Sequence, residues 1–348
     1  MRVRVLGSVF ALAISVFAGS AGDRTQAQRA ASGRPAVTRA QADRWMAELS
    51  NWGRWGKEDQ LGALNLVTAE KRRQALALAK TGTIVSLERR VALTPKPDES
   101  KIDNKPHGIS FYEIRFKTFQ AGDPRGNDGF SSDIQEFHVH GGMTHLDALC
   151  HDSDAGRLYN GFPLKETVSE ETGCTKLGLD NVREGIVTRG ILVDMTRLKG
   201  TGSRAPGSPV YPDEIEAWEK QTGLAISQGD ALFVYNTVAA GGPRGANGGF
   251  DLSVVPWLKA RGVAVTSGVR PAADDRHADH RLVLVWLGVY LLDGLELDRL
   301  AETAAKLNQW EFLIDRRFTP NRYLPGGATL IWTILRYLTG VPSRVAGT

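Results

Sequence analysis

Seven histidines occur among 348 residues, and six of them fall into two groups: His138, His140, His145 and His151, then His277 and His280. At that frequency a 14-residue window should hold about 0.3 histidines, so four together require a cause. A neutral imidazole is a common ligand for zinc and similar ions, and carboxylates complete such sites. The run Thr144-His145-Leu146-Asp147-Ala148-Leu149-Cys150-His151 supplies both ligand types. In an extended segment His145 and Asp147, two apart, project to the same side. If a helix begins near Asp147, His151 four residues later shares its face. One strand-to-helix junction then aims three side chains at one point while Leu146, Ala148 and Leu149 face the core. His280 gains weight from the apolar run over residues 282–292 just beyond it, which closes on Asp293. A buried strand ending in a carboxylate delivers a ligand from far along the chain.

Ordinary roles stand beside these. Asp147 can simply cap a helix, and the charged stretch around His277 can be a solvated turn. His138 suits a supporting place better than a ligand's, and His107, alone in a Pro/Lys loop, reads as a surface residue.

The elements that must position these groups are set by caps and periodicity. Thr38 caps a helix with Trp45, Met46 and Leu49 on one stripe, and Thr68 caps an Ala-rich helix running to about Lys80, near Gly82. Strands are expected over residues 84–87, 111–119, 190–194, 230–235 and 263–265. Pro212 opens a helix that Gly223 stops, and residues 252–261 form another. Intermingled strands and helices indicate a single α/β domain over residues 38–348. Residues 94–108 and 198–210, rich in Pro, Gly, Lys and Ser, read as surface loops within it.

The N-terminus carries an address. Arg2 and Arg4 precede an apolar stretch over residues 5–18, with small residues beyond it, and Thr25-Gln26-Ala27 offers a cleavage site. Residues 1–27 therefore read as a signal peptide and residues 28–37 as a flexible leader. The stretch is short for a transmembrane helix, so the expectation is an exported, periplasmic protein without stable membrane insertion after processing. Residues 1–27 hold three arginines and one aspartate, so their removal takes the net charge from +4 to +2. With no basic run present, a nucleic-acid partner is not expected. Two cysteines cannot build a disulfide scaffold; Cys150 and Cys174 can pair in an oxidising compartment, or Cys150 can be a buried thiol or soft ligand beside His151.

The run from His140 to His151 resembles the metal motif of the cyclase family, which includes bacterial kynurenine formamidases and isatin hydrolase. The family pattern is His-x-Gly-Thr-His-x-Asp-x-x-x-His. Trp55-Gly56-Lys57-Glu58-Asp59, continuing through Gly62 to Asn65, is similar to longer members. So are Tyr159-Asn160-Gly161-Phe162 and the segment from His280 to Asp293, and the likeness covers about residues 50–305. Two departures stand out. His140 lies five residues before His145 where the pattern has four, so either a bulge brings it in or that ligand is missing. Asp293 stands where formamidases carry Glu.

The resemblance implies a cyclase-like, swivelling β/β/α mixed-sheet fold and a divalent metal, zinc or manganese. It implies His145, Asp147, His280 and Asp293 as ligands, with His140 as a fifth, and His151 as general base and acid. Trp55 and Tyr159 are candidates to line an aromatic substrate pocket, or are packing aromatics. The implied reaction is hydrolysis of an amide or lactam in a small aromatic substrate, by a homodimer or homotetramer. A lactonase, cyclase or dehydratase, or a non-catalytic exported metal- or solute-binding protein, are the alternatives.

Overall fold

The computed structural model describes residues 33–89, 94–95, 111–118, 129–136, 144–200, 207–236, 249–272, 274–316 and 329–330. The expected signal peptide, and His107, His138 and His140, lie outside the described residues. The chain divides into Met1–Ala36 and Val37–Thr348, and every strand and helix named here belongs to the second unit.

Three strands, β1 (Thr94–Pro95), β2 (Phe111–Thr118) and β3 (Gly129–Glu136), form a small sheet in that order. The main sheet is built from β4 (His145–Asp147), β7 (Ile186–Asp194), β8 (Ala231–Tyr235), β9 (Val265–Thr266), β10 (Tyr290–Asp293), β11 (Glu311–Arg316) and β12 (Thr329–Leu330). Its order is β11-β7-β8-β9-β10-β4-β12. The centre, β7 to β10, is parallel, and its two flanks are antiparallel. The fold is thus mixed α/β. Parallel strands need cover on both faces, and β8 is accordingly buried from Ala231 to Val234. A two-residue hairpin, β5 (Val168–Ser169) with β6 (Gly173–Cys174), stands apart from the sheet.

The helices keep their sequence signals. Thr38 accepts from Gln41 N at the start of α1 (Arg39–Glu48), with Met46 buried. Thr68 caps α2 (Ala69–Leu76), which ends four residues before the expected Lys80. Pro212 opens α4 (Pro212–Thr222), after the single turn α3 (Leu164–Thr167), and Gly223 closes α4 in the left-handed region. Helix α5 (Val255–Arg261) ends the same way at Gly262. A buried ion network joins α2 to the sheet. Arg189 on β7 donates to Asp230 at 2.9 and 2.6 Å and to Glu311 on β11 at 3.0 Å, while Lys71 pairs with the same Asp230.

Three expectations are corrected. Residues 84–87 join no strand, although Val85 and Leu87 are buried and the Leu87 carbonyl accepts from Glu296 N at 2.9 Å. No helix starts at Asp147; the chain turns tightly, with His151 N donating to Ala148 O at 2.9 Å. The apolar run before Asp293 is not one strand. Its first residues lie in the π-helix Arg281–Trp286, which continues α6 (Ala278–His280), and only Tyr290–Asp293 is extended. Hydrophobicity alone does not separate a buried helix from a buried strand.

Candidate metal centre

Strands β4 and β10 run antiparallel, with His145 opposite Asp293, Leu146 opposite Leu292 and Asp147 opposite Leu291. Directly paired residues project to the same face, and alternate residues along a strand share it. His145, Asp147 and Asp293 therefore stand on one face, while Leu146 and Leu292 point to the other. Thr144 locks this register: its hydroxyl donates to Gly294 O at 2.7 Å and accepts from Arg89 N at 2.8 Å.

Two further imidazoles reach the same place from elsewhere. The turn after β4 folds His151 back, and its Nε2 lies 3.8 Å from Asp147 Oδ1. His280, where α6 meets the π-helix, places Nε2 3.6 Å from Asp147 Oδ2, and His145 Nε2 lies 3.6 Å from Oδ1. The Asp147 side chain is fully buried among them. Its donors fall into two groups sharing Asp147, one with His151 and His280 and one with His145 and Asp293, the ligand atoms of each lying within 4.8 Å of one another. Among the described residues the expected ligands His145, Asp147, His280 and Asp293 are thus brought together, and the expected base joins them.

The donor set fits a divalent cation. Separations of 3.6–3.8 Å exceed a hydrogen bond. Two donors each about 2.1 Å from a tetrahedral ion lie about 3.4 Å apart, close to what is seen. Imidazole with carboxylate suits zinc, manganese and related ions.

Charge is balanced to match. Burial alone would raise the Asp147 carboxyl, but the imidazoles of His280, His151 and His145 outweigh it and hold it below its ordinary value. Burial opposes a proton on His280, yet the Asp147 and Asp279 carboxylates push it up to about 11. Burial lowers His151, against the pull of Asp147, which favours the neutral ring a base requires. Burial, reinforced by Asp147, pushes Asp293 up to about 6.

Of the two aromatic candidates, Tyr159 takes the packing role. Tyr159 is fully buried, its hydroxyl donates to Asp59 Oδ2 at 2.9 Å, and its ring packs beside Gly288. It has no exposed surface to offer a ligand. Asp59 also accepts from Gly62 N and Asn65 Nδ2, at 3.0 and 2.7 Å, so the segment resembling the family is a braced loop. Trp55 is half-buried beneath the Arg54 guanidinium, 4.7 Å from its ring.

Sequence reasoning missed other neighbours. Trp52 and Trp286 stack with ring centroids 4.2 Å apart. Asp154 accepts from Trp286 Nε1 at 2.9 Å and from Arg281 at 3.4 Å, tying the loop after His151 to the helix that bears His280. Asp279 Oδ2 lies 3.2 Å from His280 Nδ1. No spacing rule marks Trp52, Trp286 or Asp154; Asp279 was visible only as part of a charged turn. Cys150 and Cys174 form a disulfide, so Cys150 is not a metal ligand.

The chain is similar to known proteins in sequence and in fold. Residues 80–271 match the sequence profile of the family described as Cyclase. A solved structure titled a novel cyclase aligns with 84% of this chain and 99% of its own, at TM-score 0.69 and 25% identity. Isatin hydrolase A from Ralstonia solanacearum aligns with 73% of this chain and 90% of its own, at TM-score 0.41 and 16% identity. A potential metal-dependent hydrolase with cyclase activity aligns with 73% of this chain and 98% of its own, at TM-score 0.38 and 15% identity. No curated protein matches the chain.

Proposed function

The chain belongs to the cyclase family, and from that premise we propose that it is a metal-dependent hydrolase of amide or lactam bonds in a small aromatic substrate. The observation that carries this reading is the convergence of three imidazoles and a second carboxylate, that of Asp293, on Asp147. His145, Asp147 and Asp293, with His280 from the second group around Asp147, would hold a divalent cation, and zinc and manganese both suit these donors. When bound, such an ion favours hydroxide at neutral pH and polarises a carbonyl.

The chain's own residues supply the rest. His151, kept neutral by burial, accepts the proton of the attacking water at Nε2 and returns it to the leaving nitrogen as the C–N bond breaks. The half-buried, stacked Trp52 and Trp286, linked through Asp154 to the loop after His151, are the candidates to meet an aromatic substrate. An exported, periplasmic location is part of the proposal; the Cys150–Cys174 disulfide supports it, since such bonds persist in oxidising compartments.

The test joins metal analysis of the freshly purified protein with a panel of aryl formamides, lactams and lactones. Formate release from N-formylkynurenine supports the arylformamidase form. Lactone turnover alone shifts the reading to a lactonase. Bound metal with no turnover across the panel favours a binding protein, and absence of metal refutes the centre.

A further inference from the structure

We infer that Asp279 is a positioning residue of the metal centre, holding His280 in the tautomer and ring orientation that present Nε2 to the ion. The inference rests on the metal-dependent reading of the site and adds to it a residue outside both ligand groups.

The geometry is specific to one end of the ring. Asp279 Oδ2 lies 3.2 Å from His280 Nδ1, whereas Nε2 faces Asp147 Oδ2 at 3.6 Å. An imidazole that donates its Nδ1–H to a carboxylate keeps the Nε2 lone pair for a metal. The opposite tautomer would set the Nδ1 lone pair against a carboxylate oxygen, which is repulsive. Asp279 is only 7% exposed, so its charge is shielded from competing water. Both residues sit in Ala278–His280 just before the π-helix Arg281–Trp286. An irregular helix at that junction re-aims side chains, and such bulges gather at functional sites. Partners of this kind typically change metal affinity by about 10–100-fold.

Zinc affinity is measured by competition with a chelating dye for wild type, Asp279→Asn and Asp279→Ala, with the melting temperature of each metal-free protein recorded alongside. Asp279→Ala is expected to bind zinc about 10–100-fold more weakly at unchanged stoichiometry, and Asp279→Asn, which keeps an acceptor but not the charge, to fall between. Nitrogen-15 spectra of the zinc-loaded wild type should show the His280 proton on Nδ1 and the metal on Nε2, a readout that a purely structural Asp279 would not dictate. Wild-type affinity in Asp279→Ala, or zinc on Nδ1 of His280, overturns the inference while leaving the centre intact. If Asp279→Ala does not fold, Asp279→Asn and the wild-type spectrum decide. Failure of the wild type to bind either zinc or manganese overturns the metal-centre reading itself.

Discussion

At the scale of single residues, Asp147 and His151 have separable duties. Asp147 belongs to both ligand groups, so Asp147→Ala should abolish stoichiometric metal binding, as read by metal analysis. His151 should act as a proton carrier rather than an indispensable ligand. His151→Ala is therefore expected to keep metal and to lose turnover by about 10²–10⁴-fold; loss of metal instead would make it a ligand. His280 gives a pH dependence whose sign is fixed. Its imidazole is pushed up to about 11 without metal, and a ligand must be neutral. Binding must then displace a proton, so apparent affinity should rise with pH through the neutral range by about tenfold per unit for each proton released. Calorimetry in buffers of different ionisation enthalpy counts those protons. A pH-independent affinity would contradict the assignment.

At the scale of elements, the site depends on how closely two segments approach. Gly288 carries φ +63°, and a Cβ there would meet the Tyr159 ring at 2.5 Å. The same Cβ would lie 3.0 Å from Gly62 Cα, and Gly62 in turn packs against the Gly288 carbonyl. Gly288→Ala should therefore cost at least about 1–2 kcal/mol, from the left-handed backbone alone, and shift the start of β10. Urea melts give the first effect and zinc affinity the second. The network around Asp230 is structural by contrast. Asp230→Ala leaves Lys71 and Arg189 facing each other without their shared carboxylate and should cost about 3–5 kcal/mol. Elements were legible where caps and punctuation spoke, as at Thr38, Pro212 and Gly223. They were misread where tertiary contact decides. The helix expected after Asp147 is a turn, because Cys150 is drawn to Cys174 on β6 and Leu149 is buried.

At the scale of the whole molecule, the ligands come from segments more than a hundred residues apart in sequence, and the sheet together with the helix leading into β10 unites them. A cation bound solely by the folded chain stabilises it by mass action, about 4 kcal/mol at a thousandfold excess over its Kd. Chelation should accordingly lower the melting temperature, and added zinc or manganese should restore it. The disulfide closes a loop with sequence separation 24 and should contribute about 3 kcal/mol. Cys174→Ser tests that value in an equilibrium denaturation.

The amino-acid sequence by itself determined the chemistry: donor types, the spacing of His145, Asp147 and His151, the distant His280 and Asp293, and a mixed α/β composition. Those arise from residue identity and short-range periodicity, which are local. Tertiary structure alone decided the rest. It set His145 opposite Asp293 across β4 and β10, turned the apolar run into a π-helix before the strand, buried Tyr159 against Asp59, and brought Asp279 to His280 Nδ1. Each depends on strand pairing or side-chain contact between separate segments, or on the rotation of a helix at a buried junction. No spacing along one chain encodes such contacts without the packing that surrounds them.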